Sequence, residues 1–114
     1  MLIALFVLKA SVAALMIIFG VHQFVHPDKW QNYIPKWTER TYGVASESII
    51  RFHALGNLIL AIFLISSVFP LAAAWAVFIW WAATLPFSFM EDWRNGVRDL
   101  MVSAAVLAII YLIA

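Results

Sequence analysis

The sequence predicts an all-α integral membrane protein: an antiparallel four-helix bundle in up-down-up-down order, with a short interfacial helix after the first span. Three observations carry this. First, 66% of the residues are apolar and only 11% charged, with a mean hydropathy of +0.97, where a soluble domain has about half apolar and a quarter charged residues. Second, apolar runs of the roughly 20 residues needed to cross a bilayer recur four times with short connections between them. Third, nearly all the charge is gathered into two of those connections. The 114 residues then form one transmembrane domain, 1–114, with spans at about 2–25, 49–69, 71–90 and 97–114.

The first run is apolar from Leu2 to Val21 apart from Lys9 and Ser11. It lacks the features of a cleaved secretory signal, so a retained first helix is expected. Lys9 lies thirteen residues before His22, roughly 20 Å along a helix. Its stem either carries the ammonium to the far interface or places it in a cavity. His26 precedes Pro27, and a residue before proline is driven out of helical geometry, so the helix should end near Val25. From Pro27 to Ile34, Trp30, Tyr33, Ile34 and then Trp37 recur at near-helical spacing, which predicts an interfacial segment with these aromatics toward lipid and Asp28, Lys29, Gln31, Asn32 and Lys36 toward water.

The second span carries Arg51, His53, Gly56 and Asn57 in its first two turns. His53 and Asn57 share a face, and Glu47 and Arg51 stand in the favourable order for an ion pair. Ser66 to Pro70 interrupts an apolar stretch far too long for one helix, so a tight turn is expected there. In the third span Trp75, Phe78, Trp80, Trp81, Phe87 and Phe89 read as lipid-facing or packing residues, and Pro86 as a kink whose freed carbonyl Thr84 covers. Asn95-Gly96 signals a turn, with Asn95 the expected cap of the last helix, Val97 to Ala114, and Asp99 in its first turn near the positive end of the dipole. Arg98, at a helix start, gains nothing from the dipole and needs a partner such as Glu91, Asp92 or Glu47.

Lys29, Lys36, Arg40, Arg51, Arg94 and Arg98 all belong to the two charged connections. The positive-inside rule then puts both connections in the cytoplasm and both termini outside, in what we expect to be a prokaryotic plasma membrane. The polar residues near that face either are ordinary charged helix ends or converge on a cavity. On the second reading the ligand-binding residues are His22, Arg51, His53, Asn57, Arg98 and Asp99. The chain has no cysteine, which removes thiolate, disulfide and iron-sulfur chemistry. A net charge of +1 with no long basic stripe gives no reason to invoke nucleic acid. No catalytic residue can be named.

Taken in order, Lys9, Gly20-Val-His22-Gln-Phe24, His26-Pro27, Ile34-Pro35, Arg51-Phe-His53 and Asn95-Gly96-Val97-Arg98-Asp99-Leu100 resemble the DoxX-like family of small four-helix membrane proteins over nearly the whole chain. The resemblance implies association with quinone-linked sulfur oxidation or with membrane oxidoreductase complexes. Ala54-x-x-Asn57 stands where many members have Gly-x-x-Glu, which removes a titratable group. On this basis the chain is expected to be a quinone- or redox-complex-associated subunit, with His22 or His53 donating to a carbonyl oxygen and Arg51 or Arg98 supplying positive potential. The alternative is a non-catalytic subunit that binds a lipid or small molecule, or packs within a larger membrane complex or homo-oligomer. Ligation of haem or metal by His22, His26 and His53 is disfavoured, because Pro27 disturbs the helix where the spacing of four would matter.

Overall fold

The computed structural model describes residues 2–43, 45–66 and 68–114. Helix α1 (Leu2–Val25) is followed by a 3₁₀ segment (Pro27–Tyr33) and a short helix α2 (Lys36–Tyr42). Three long helices complete the chain: α3 (Ser46–Ser66), α4 (Pro70–Glu91) and α5 (Trp93–Ile113). The described residues contain no strand. Helices α1, α3, α4 and α5 are each long and apolar enough to cross a membrane. At 1.5 Å per residue they run roughly 32 to 36 Å, matched to a hydrocarbon layer of about 30 Å.

The helices pack mainly in two pairs, α1 on α3 and α4 on α5, joined by lighter contacts of α1 with α5 and α3 with α4. The seam is built from small and medium side chains. Ala13, Met16, Ala61, Leu64, Ala74, Val77, Val106 and Ile109 are fully buried. Between apolar helices in lipid there is little hydrophobic drive, so association rests on close packing, and alanine and glycine permit it. Gly20 shows the constraint most clearly. A β-carbon there would lie 3.0 Å from the Ala54 carbonyl oxygen and 3.0 Å from Leu58 Cγ, so α1 and α3 touch backbone to backbone at this level. The outward faces are apolar as well: Leu2, Ile3, Phe6, Ile18, Ile59, Ile62, Ile79, Met101 and Tyr111 are exposed.

The ends of the helices follow ordinary chemistry. Gly43, at φ 65°, closes α2 and donates its N–H to the Glu39 carbonyl, a left-handed cap that suits glycine. The Glu39 carboxylate accepts from both the amide (2.9 Å) and the hydroxyl (2.8 Å) of Ser46. It thereby satisfies an orphan donor at the start of α3, and these bonds hold its carboxyl below the usual carboxylate range. Asp92 caps α5, accepting from the Arg94 amide at 3.0 Å.

Several sequence expectations change here. The last helix starts at Trp93 with Asp92 as its cap, so Asn95 and Gly96 lie inside its first turn. Asp99 therefore stands nearly two turns in. The second long helix starts at Ser46, three residues before the expected 49, and ends at Ser66. In the turn expected over Ser66 to Pro70, Ser67 lies outside the described residues. Phe69 takes a left-handed φ of 47° and Pro70 opens α4, where a missing N–H does no harm. Pro86 sits inside α4. Thr84 donates to the Trp81 carbonyl at 2.7 Å, not to that of Ala82, whose usual donor Pro86 lacks.

If the α1–α3 contact is set at Gly20, Gly20→Val should destabilise the protein by about 1 to 3 kcal/mol. Val21→Leu, on an exposed position, should leave it unchanged. Thermal unfolding in detergent reads the difference.

Candidate functional site

Below the level of the connections, α1, α3 and α4 bring together polar side chains that an apolar bundle must satisfy internally. Gln23 lies one turn beyond Gly20, on the face of α1 that meets α3. His53 and Asn57 share a face of α3. Gln23 is 6% and Asn57 1% exposed. From α4 comes Trp80, whose indole ring lies over Gly56, where a β-carbon would overlap it.

An indole nitrogen can only donate, and that fixes the sense of the network. Trp80 Nε1 donates to Asn57 Oδ1 at 2.8 Å. The Asn57 amide nitrogen is thereby turned toward Gln23 and donates to its Oε1 at 2.9 Å. His53 stacks on Trp80 with ring centroids 4.7 Å apart and planes 19° from parallel. Its Nδ1 lies 3.4 Å from both Gln23 Oε1 and Asn57 Nδ2. Two buried ring nitrogens remain, His53 Nε2 and Trp81 Nε1, with no hydrogen-bond partner among the described residues.

A second polar group comes from α5. Asp99 is 3% exposed. Its Oδ1 accepts from Arg98 Nε at 2.9 Å, and its Oδ2 accepts from the Ser88 hydroxyl of α4. The Arg98 guanidinium also reaches Asn95 Oδ1 at 3.4 Å. It lies over the Phe19 ring, 4.8 Å from the centroid, within the range of a cation–π contact. The partner of Arg98 is thus its chain neighbour Asp99, in place of the expected Glu91, Asp92 or Glu47.

The 3₁₀ segment closes the space between these groups. With three residues per turn, Trp30 and Tyr33 fall on one edge, where their rings stack at 5.3 Å. Trp30 also packs on Phe19 at 5.4 Å and donates to His22 Nδ1 at 2.7 Å. Trp30, Tyr33 and Ile34, expected toward lipid, line a cavity instead. The indole N–H of Trp30 needs an acceptor, and His22, one turn from the end of α1, supplies it. Trp37 remains 55% exposed, beside Tyr42.

The cavity has a volume of about 330 Å³, at the small end of the range for ligand pockets. Its wall is mostly aromatic and aliphatic, with Phe19, Trp80, Trp81 and Phe87 under the Trp30–Tyr33 roof. Its polar contributions include Gln23, His53, Asn57, Ser88, Arg98 and Asp99. Of the six residues expected from the sequence, His53, Asn57, Arg98 and Asp99 line it. His22 does not: it faces Trp30 and, at 5.3 Å between rings, His26. His53 meets Gln23 rather than His22. Arg51 does not line it either, being exposed and paired with Glu47 at 3.2 Å. Among the described residues, no three His, Cys, Asp or Glu side chains converge as a metal site would require.

Gln23, Trp80, Trp81, Ser88 and Tyr33 are site residues the sequence reading did not select. Gln23 carried the clearest signal, being a carboxamide one turn from a glycine in a mostly apolar helix. The Trp80-Trp81 pair carried none that separates a cavity wall from a lipid-facing surface. Comparison of the chain with protein families, curated proteins and solved structures finds no match.

Removing Arg98 leaves the buried Asp99 carboxylate with Ser88 and without its cation. Arg98→Ala should therefore lower stability in detergent by about 1 to 3 kcal/mol. The double substitution Arg98→Met with Asp99→Asn, which removes both charges, should recover part of that loss. Thermal unfolding of the wild type and the two variants decides it, and equal losses in both variants would contradict the pairing.

Proposed function

We propose that the chain is a four-pass membrane protein whose cavity binds a neutral, lipophilic molecule with a flat polar head, of which a quinone is the leading candidate. We further propose that it belongs with the DoxX-like proteins and serves a membrane redox complex. The observation that carries the reading is the cavity of about 330 Å³, walled by Phe19, Trp80, Trp81 and Phe87 with Gln23, His53, Asn57 and Arg98 among its polar lining residues. The stacked His53–Trp80 rings and the Trp30–Tyr33 roof suit a planar head.

The proposed topology is up-down-up-down, because the connection from α4 to α5 is Asp92 alone and that from α3 to α4 is only residues 67–69. The segment Pro27–Tyr42 is then the interfacial element, and the cavity opens toward the cytoplasmic leaflet. This orientation rests on the six Lys and Arg side chains at that end, which place both termini outside a prokaryotic plasma membrane. A second reading, a non-catalytic packing or lipid-binding subunit, is favoured by the apolar outer faces of all four spans.

Organic extraction of the purified protein, followed by mass spectrometry, distinguishes the two. Wild type should yield a lipophilic carbonyl compound approaching one per chain. His53→Leu should deplete it sharply, while His26→Leu, on an exposed position outside the cavity wall, should not. Equal content in all three proteins, or only bulk phospholipid, would support the packing reading.

A further inference from the structure

A cavity inside a membrane bundle needs a way in, and the packing of the helices leaves one side of this one uncovered. Between α1 and α3 the wall is closed by the bond from Asn57 to Gln23 at 2.9 Å. Between α4 and α5 it is closed by Ser88 and Asp99, and between α1 and α5 by the Arg98 guanidinium over the Phe19 ring at 4.8 Å. The stacked Trp30 and Tyr33 cover the end. The contact between α3 and α4 lies farther from the connections, where the Trp80 indole sits on Gly56. From that level toward the connections, Ile49 and His53 of α3 and Ala83, Thr84 and Phe87 of α4 line the cavity.

Among the described residues that line the cavity, only Ala83 and Phe87 are exposed. Ala83 also belongs to the outer surface. Ile79, Ala83, Pro86 and Met90 are spaced by four, three and four residues, which puts them on one face of α4. Ile79, Pro86 and Met90 are exposed and stand outside the cavity wall, so the wall and the outer apolar row share Ala83. On α3, Phe52 and Ile59 lie one turn to either side of Gly56, on the face that meets Trp80. Both are exposed, Phe52 to 73%, so α4 does not cover that face. Ala83 stands eight residues before Glu91 at the end of α4, roughly 12 Å along the axis. In a span of this length that is hydrocarbon depth.

We infer that the cavity is entered from the bilayer through a side opening between α3 and α4, centred on Ala83, and that its occupant carries an apolar chain which lies in that opening. The inference rests on the ligand-binding reading above and adds to it a route and a ligand architecture, head inside and chain out in the lipid. At about 330 Å³, the cavity is at the small end of the range for ligand pockets and has room for a head group, while a chain long enough to hold the molecule in the membrane must lie outside. The methyl side chain of Ala83, between Trp80 one turn below and Phe87 one turn above, leaves that passage free. A larger side chain there fills it.

The test uses two benzoquinones with the same ring, one carrying a decyl chain and the other a methyl group at that position, titrated calorimetrically into the detergent-solubilised protein. Ala83→Leu should weaken binding of the decyl compound by at least about tenfold and change that of the methyl compound by no more than about twofold. Its melting temperature without ligand should match the wild type, because the site is exposed. Ile79→Phe, in the same outer row but outside the cavity wall, should change neither affinity. A decyl compound with a diazirine on its chain, photolysed on the wild type, gives a readout that needs no variant: labelling should fall on α3 near Ile49 to Gly56 and on α4 near Trp80 to Phe87. Equal losses for the two compounds in Ala83→Leu, no loss for either, or labelling confined to α1 and α5 would overturn the side opening and leave the ligand-binding reading standing. Binding of neither compound by the wild type would overturn both.

Discussion

A carboxamide buried to 1% exposure in an apolar bundle is the constraint on which the rest of the site depends. Asn57 has one end that accepts and one that donates, and neither can be left empty without a penalty of about 1 to 3 kcal/mol. The acceptor end is met by Trp80 of α4 and the donor end by Gln23 of α1. Three helices are therefore tied at one level by two bonds of fixed sense. The apolar seam farther along the bundle, around Ala13, Met16, Ala61 and Leu64, is directionless and would tolerate small rotations. The amide network does not, and it sets the azimuth at which His53 stacks on Trp80.

The charged pair and the roof complete the enclosure by different means. Arg98 spans from Asp99 to the face of Phe19, so a cation near the start of α5 is compensated by a carboxylate and a ring together. The roof depends on one indole hydrogen bond, from Trp30 to His22, and on the three-residue repeat of the 3₁₀ segment. Where a helical repeat would spread Trp30 and Tyr33 around an axis, this segment stacks them. That is why residues with the composition of a membrane-interface belt turn inward over a cavity.

Much of the architecture was legible in the sequence, because span length, hydropathy and the clustering of charge are long-range signals that single contacts do not override. The four long helices and the share of site residues from α3 and α5 belong to this class: His53 with Asn57 at four-residue spacing, and Arg98 with Asp99. What could not be read is which way a side chain turns. His22 and Gln23 are neighbours on α1, and only packing shows that Gln23 meets α3 while His22 meets the roof. Trp80 and Trp81 look alike in sequence, yet among the described residues one finds an acceptor for its N–H and the other does not. The start of α5 was misplaced because Asn95-Gly96 is a strong local turn signal, overridden here by the Asp92 cap.

The most direct test of the account is a double-mutant cycle on Gln23 and Asn57, read by thermal unfolding in detergent. Gln23→Leu and Asn57→Leu should each destabilise the protein by about 1 to 3 kcal/mol, since each leaves a buried partner unsatisfied. The double variant removes both ends of the bond, so its loss should fall short of the sum by about 1 kcal/mol or more. Losses that simply add, or single variants as stable as the wild type, would mean that the buried amide does not tie α1 to α3 and that the shape of the cavity is set elsewhere.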